Sequence, residues 1–580
     1  MAQKPVRMIG RVTSQLPKNA DLAAQFELLA DLMEIQGADG FRIGAYRKAA
    51  LQIRETSTSV AQLALAGRAK ELQGIGKTIE EKIVEIVNDG EIHALSKRKA
   101  EVPVELATFM RLPGLGAKTA RRIWKELGIT TIEGLRIAAE TEQLRTLDGL
   151  GAKVEENILA GLAKPKATEG PQRALLGNIL PKLRAAVATL ADHPATAEVS
   201  IAGSARRFRE SVRDLDIIAT ATDSDALIDA FCTLPWVVEI AAKGSTKATV
   251  VSQDGLRFDL RVVPPESYGN LLQHFTGSKD HNVALREAAV RKGLSVSEYG
   301  VTETETGKVH SFATEEEVYA YLGYAWIPPE LRENLGELEA ARRDELPSLV
   351  ELGDIRGDLH THTTWSDGKN SLEEMVAAAA AKGYAYYAIC DHSHRLRDER
   401  LAQQAEEIEA INKVAPLQIL KGIEANIRTT GEVDVSDEDL ATLDWVVASV
   451  HNSFDKNATE RVLAAMENPH VDCIGHLTGR KIGKRSPAEV DVERVIEKAI
   501  ETGTFLEINS QPDRLDLSDV HARAAREAGL KLVINSDGHQ ISALDYVELG
   551  VGQARRAWLT KADVVNTHTW KQVEKLRKSR

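Results

Sequence analysis

Between residues 20 and 165 apolar positions recur three and four apart, as in LAAQFELLADLMEI, the period of short amphipathic helices. From about residue 197 the period shortens, and AEVSIAG, DLDIIAT, KATVVS and LRFDLRVV read as strands among helical stretches, an α/β or α+β middle third. After IPPE at 327–330 the run LRENLGELEAARRDELPSLVEL is charged and helix-prone, and a tether with a domain boundary near 345 is expected there. Beyond it seven short apolar runs, GDLHTH, YAYYAICDH, LQILKGIEA, WVVASVH, VDCIGH, TFLEINS and KLVINSDGH, alternate with helical segments. That alternation predicts a barrel of parallel strands with helices outside.

A chain of 580 residues exceeds what one core organises, so roughly two to four domains are expected. The composition, 43% hydrophobic and 27% charged, is that of a globular chain and excludes bulk disorder. Three scattered cysteines, Cys232, Cys390 and Cys473, form no disulfide framework or metal knuckle, which suits a cytoplasmic setting. The opening MAQKPVRMIGRV lacks an apolar signal core, and no run approaches the roughly 18 apolar residues of a membrane helix. Net charge is +3 over residues 1–170, −7 over 171–350 and −9 over 351–580, together the −13 of the whole chain. The basic first third suits nucleic acid, and the acidic remainder suits either cation sites or a solvated acidic surface.

Three copies of one motif lie in that first third: LQGIGKTIEEKI from 72, LPGLGAKTARRI from 112 and LDGLGAKVEENI from 147. Each couples a glycine hairpin (Gly74 and Gly76, Gly114 and Gly116, Gly149 and Gly151) to a helix start. Glycine permits the tight turn, and the free N–H groups of a helix N-terminus suit phosphate, which predicts contact with a DNA backbone rather than with bases. The copies resemble helix-hairpin-helix motifs.

In the middle third GSARR is followed by RDLDII. Alternate strand residues share a face, so Asp214 and Asp216 present two carboxylates to one site, and Asp259 in RFDLRVV supplies a third. Three such acids suit two Mg2+ or Mn2+ ions, while Gly203, Ser204, Arg206 and Arg207 offer a turn, a hydroxyl and guanidinium groups to phosphate. The arrangement resembles the polymerase-beta-like core of family X DNA polymerases over residues 20 to about 330. The resemblance implies that Asp214, Asp216 and Asp259 are the catalytic metal ligands and that Ser204 and Arg207 grip a triphosphate. In HFTGSKDHN it places Gly277 and Asn282 against the incoming nucleotide, and it sets Arg286 near the template. His274 departs from the family pattern, standing where animal members carry a tyrosine, so weaker exclusion of ribonucleotides is expected. Lys82 falls where the family has its Schiff-base lysine, but Glu80 and Glu81 precede it. Such chemistry needs a neutral amine, so lyase activity and a plain DNA-facing lysine both stay open.

In the last third DLHTHTTWSDG places His360, His362 and Asp367 at the end of a strand, and DHSH supplies Asp391 and His392. Glu424, His451, His476, Asp537 and His539 end later strands. Barrel enzymes build their sites at strand C-termini, so metal-competent side chains there predict a multinuclear centre. Residues 355–570 resemble the PHP phosphoesterase family. The resemblance implies nine ligands, His360, His362, Asp367, His392, Glu424, His451, His476, Asp537 and His539, around two or three Mn2+ or Zn2+ ions.

The expected order is a helical DNA-binding and lyase-like domain (1–88), a second helix-hairpin-helix domain (89–168), a nucleotidyltransferase palm (169–262), a nucleotide-binding thumb (263–330), a linker (331–350) and a (β/α)7-like PHP barrel (351–580). The expected function is a monomeric repair polymerase filling gapped or nicked double-stranded DNA from dNTPs. Its PHP domain would act as a 3′-5′ exonuclease, an abasic-site endonuclease or a 3′-phosphatase. Two alternatives are a polymerase carrying a non-catalytic PHP module, and a nucleotidyltransferase acting on RNA or a small molecule.

Overall fold

In a computed structural model of the chain the described residues are 16–17, 19–55, 59–72, 74–110, 112, 115–147, 149–163, 173–397 and 399–578. They fall into two compact units divided at residue 170. Among them no helix is long and apolar enough to cross a membrane.

The first unit is helical. Asn19–Gln36 packs along Gly40–Glu55 around Phe26, Leu29, Ala49 and Ile53, all withdrawn from solvent. Three helices follow the glycine motifs: α1 (Lys77–Asp89), α2 (Ala117–Leu127) and α3 (Ala152–Ala163). Ile79, Ile83 and Ile86 on α1 and Ala117, Ala120 and Ile123 on α2 form buried stripes of helical period.

The second unit opens with a five-stranded palm sheet. Its strands are β1 (Thr196–Ile201), β2 (Asp214–Ala221), β3 (Val237–Lys243), β4 (Lys247–Ser252) and β5 (Arg257–Val263), arranged in the order β1-β2-β5-β4-β3. Only β2 and β5 run parallel, with Asp216 directly opposite Asp259. The thumb contributes α4 (Tyr268–Thr276), α5 (Lys279–Val290) and a small antiparallel sheet.

The stretch expected to be a tether is instead packed into the thumb. Leu331, Ala340 and Ala341 join one apolar cluster with Leu285, Val318 and Tyr319. Several of its charges are paired inside the fold. The buried Arg332 donates to the Ile327 carbonyl at 2.9 Å and pairs with Glu315. The equally buried Glu337 accepts the Asn334 and Leu335 N–H groups and meets His281 Nδ1 at 2.6 Å.

Seven parallel strands then follow in chain order: β6 (Gly357–Thr361), β7 (Tyr386–Ile389), β8 (Gln418–Asn426), β9 (Trp445–Ser449), β10 (Cys473–Ile474), β11 (Phe505–Asn509) and β12 (Leu532–Asn535). All seven expected strands are present. A parallel bridge between Thr361 and Gly538 brings the ends of β6 and β12 together, so the barrel is nearly closed. Strand residues are buried on both faces, which is why they appear in the sequence as unbroken apolar runs.

Candidate active sites

The palm acids gather as their spacing predicted. Asp214 and Asp216 alternate on β2, and Asp259 lies beside Asp216 on β5. Thr249, opposite Asp259 on the neighbouring β4, donates its hydroxyl to that carboxylate, while Arg213 pairs with Asp214 at 2.8 Å. Burial, then the like charges of Asp259 and Asp214, push the Asp216 carboxyl up to about 6, against the pull of Arg261 and Arg207. A cation would relieve that repulsion, so the residues fit divalent metal. Gly203 has φ 63° and starts the short turn Gly203–Arg206, in which Ser204 is half-buried.

Arg206 is committed to structure: it bonds Thr276 Oγ1 at 2.7 Å and clasps Glu315 with two 2.8 Å bonds. Arg207 donates to the Thr276 carbonyl and from Nε to Glu333 at 3.1 Å. Gly277 follows α4 with φ 68°, and a Cβ there would lie 3.2 Å from Arg207 Nη1, so the glycine lets the two segments meet. Asn282 donates to the His274 carbonyl at 2.7 Å and accepts from Gln273 at 2.9 Å. Arg286 lies 3.1 Å from His274 Nδ1. The structure thus joins Arg207 to Gly277, and His274 to Asn282 and Arg286.

In the hairpin unit Gly74 and Gly149 take φ of 83° and 81°, while Gly76 and Gly116 cap α1 and α2 and Gly151 precedes α3. Gly114 lies outside the described residues. Beside Gly76, Gly116, Gly149 and Gly151 there is open space where a side chain would sit. Two acids of the motif have a local task that sequence reading missed: Glu80 accepts the Lys70 N–H and Glu155 the Arg145 N–H, both at 3.0 Å. Each ties a helix to the turn before its hairpin. Lys82 sits half-buried on α1, two residues after Glu80.

In the barrel all nine expected side chains converge, with Glu424 at the centre. Its carboxylate lies 2.8 Å from His392 Nδ1, 3.0 Å from His476 Nε2, 3.1 Å from His451 Nε2, 3.5 Å from His360 Nε2 and 3.6 Å from His362 Nε2. Asp537 lies 3.2 Å from His362, and Asp367 lies 3.5 Å from His392 and 3.4 Å from His539. Ligand atoms fall into three groups, each within 4.8 Å: His362, Asp367, His392 and His539; His360, His362 and Asp537; His392, Glu424 and His451. His360 Nε2 and His362 Nε2 are buried without a hydrogen-bond partner. Orphaned ring nitrogens facing carboxylates fit divalent cations. Burial holds the His362 ring down to about 3, whereas for His392 burial is outweighed by Asp367 and Glu424, which raise it to about 10.

A supporting layer was not foreseen. Glu507 accepts from Asn535 at 2.9 Å, from Asn509 at 3.0 Å and from the His476 N–H at 2.8 Å, and it meets His360 Nδ1 at 2.7 Å. Asn509 also bonds Asp537, and Asn426 meets His451 Nδ1 at 2.6 Å. Such partners orient ligands. Their signal was the alternation in FLEIN, where Glu507 and Asn509 share a face of β11. Asp391 braces the loop below, accepting from Thr363 N–H, Thr363 Oγ1 and Gln404.

Hairpin helices, a palm with facing carboxylates and a histidine-rich barrel define a polymerase-beta-like nucleotidyltransferase fused to a metal-type phosphoesterase. Family models match in the same places: "Helix-hairpin-helix domain" at 17–92, "SAM-like Helix-hairpin-helix tandem" at 106–164, "DNA polymerase beta thumb" at 271–333 and "PHP domain" at 358–511. Over 567 residues, 96% of this chain and 98% of the relative, the sequence is 40% identical to the DNA polymerase/3′-5′ exonuclease PolX of Bacillus subtilis. The chain belongs to this PolX family, the family X DNA polymerases that carry a PHP domain. It is also 26% identical to DNA polymerase lambda of Rattus norvegicus over 54% of this chain and 56% of that one. A stretch of 195 residues is 31% identical to a probable phosphatase of Acetivibrio thermocellus, over 31% of this chain and 78% of the phosphatase.

Proposed function

We propose that the chain is a repair polymerase that fills short gaps in double-stranded DNA, as in base excision repair, and trims DNA 3′ ends in its barrel. The observation that carries the reading is the register of Asp216 against Asp259, beside Asp214 and behind the Gly203–Arg206 turn. Asp214, Asp216 and Asp259 would hold Mg2+ or Mn2+, which supply Lewis acidity at the phosphoryl centre. Arg207 and Ser204 would bind the triphosphate, and Asn282 and His274 would face its sugar and base. The template would run past Arg286. Helix starts after Gly76, Gly116 and Gly151 would receive backbone phosphates.

In the barrel, the nine-residue set would hold two or three Mn2+ or Zn2+ ions, which would supply Lewis acidity to a phosphate ester. Glu507, Asn509 and Asn426 would keep the imidazole tautomers and the Asp537 carboxylate oriented. Likeness to a probable phosphatase favours a 3′-phosphatase as the second reading of this barrel. The enzyme would work in the cytoplasm as a monomer.

A 5′-labelled primer on a gapped duplex, incubated with Mn2+ with and without dNTPs, tests the reading. Extension with dNTPs and stepwise shortening without them is expected. Failure of extension overturns the polymerase assignment, and loss of only a 3′-phosphate from a blocked primer selects the phosphatase.

A further inference from the structure

Helix α6 (Val547–Arg556) belongs to the barrel, yet one of its faces lies on the palm. Gly552 approaches Phe208 so closely that a Cβ would sit 2.2 Å from the ring, and Phe208 itself has φ 53°. Gln553 donates to the Phe208 carbonyl at 3.1 Å. Arg556, buried and one turn on, donates to the Arg207 carbonyl and to Glu333, both at 2.9 Å, and is anchored behind by Asp519 at 2.6 and 2.9 Å. The Glu333 oxygen that receives Arg556 also receives Arg207 Nε. Next to Glu333, the Arg332 carbonyl accepts the Ser278 N–H at 3.0 Å, so one short segment ties together the nucleotide loop, the palm turn and the barrel.

Left to itself Arg207 would sample many rotamers, and holding a guanidinium still before a ligand arrives lowers the ordering cost of binding. Here Glu333 and the Thr276 carbonyl hold the Arg207 side chain, and Arg556 holds its backbone carbonyl. All three groups lie outside the palm. We propose that Arg556 is a positioning residue for nucleotide binding: through Glu333 and the Arg207 carbonyl it keeps Arg207 aimed at the incoming triphosphate, so that the barrel sets the dNTP affinity of the palm. This rests on the reading of Arg207 as the triphosphate grip.

The test uses full-length protein and single-nucleotide gap filling with dNTP titrated, and follows 3′-end shortening and thermal melting on the same preparations. Arg207→Ala, Glu333→Gln, Arg556→Met, Arg556→Lys and the double variant Glu333→Gln with Arg556→Met are compared. Glu333→Gln and Arg556→Met should each raise KM for dNTP about 10-fold with kcat within about twofold, and shortening should be unchanged. Arg556→Lys should fall between, because one amine cannot reach all the acceptors. The double variant should also stay near 10-fold, since both changes break one relay.

A folded Glu333→Gln or Arg556→Met protein with wild-type KM overturns the proposal. So does a lowered KM, which would make Glu333 a competitor of the triphosphate, and so does a multiplicative double variant. If Arg556→Met does not fold, Glu333→Gln decides alone. If Arg207→Ala leaves KM unchanged, the triphosphate reading itself fails. If Arg207→Ala raises KM while Glu333→Gln is silent, only the relay fails.

Discussion

Gly203 and Asp216 are in such close approach that a methyl group on the glycine would lie 2.2 Å from Asp216 Oδ2. The left-handed φ of Gly203 would by itself disfavour a larger residue, and the carboxylate leaves no room for one. Gly203→Ala should therefore displace the central acid of the triad. Primer extension should fall at least about 100-fold, a barrier change of about 3 kcal/mol, while 3′-end shortening stays intact. Extension within a factor of ten of wild type would show that the acid does not need this geometry.

The raised Asp216 carboxyl should make extension fall in acid. Its folded value of about 6 lies above the ordinary 3.8, so the proton returns as pH drops through 6 and the metal site is lost. Because metal and proton compete, tenfold more Mg2+ should move the midpoint to lower pH. A midpoint indifferent to Mg2+ would assign the titration to another group.

The same shift has a stability sign. A folded acid with a raised value destabilises the fold increasingly from pH 3.8 through 6, and the full cost is present above 6. Asp216→Asn should thus melt higher than wild type above pH 6 without metal, by on the order of 2 kcal/mol, while losing extension. Equal melting at pH 5 and pH 8 for the two proteins would contradict the burial argument.

Glu507→Gln keeps the shape of the barrel layer but removes the charge facing His360. Metal affinity should fall ten- to 100-fold, read as the Mn2+ concentration that half-restores shortening after chelation. Gap filling should be untouched. Chelation itself should lower the melting temperature, since ions at a thousandfold excess over Kd add about 4 kcal/mol. A melting curve unmoved by chelator would mean that the converged side chains hold no ion.

His274 is kept from protonating first by burial and then by Arg286 and Arg261, against Glu298. A neutral, compact ring contacts less of a sugar than a phenol would. His274→Tyr should raise the ratio of dNTP to rNTP insertion efficiency about tenfold. An unchanged ratio would place sugar choice elsewhere.

What was legible in the sequence was whatever repeats at a structural period. The Asp214 and Asp216 spacing announced a shared face, and seven apolar runs ending in His, Asp or Glu announced a barrel rim. What was hidden depended on partners far along the chain. The edge strand Val237–Lys243 was missed because it is wet on both faces and carries no alternation. The stretch 331–350 looked like a tether because nothing in LRENLGELEAARRDEL reveals that Arg332 meets Glu315 or that Glu337 meets His281. Glu507 carried only the weak signal of one acid in an apolar run.

Arg556 reaches the Arg207 carbonyl across 349 residues of sequence. A ribosome completes the palm acids by residue 263, the ninth barrel ligand at residue 539 and this clamp only after that. A nascent or truncated chain would hold the carboxylates of a polymerase without its full grip on nucleotide. Chain completion would then act as a licence, withholding efficient synthesis until the trimming barrel is also in place.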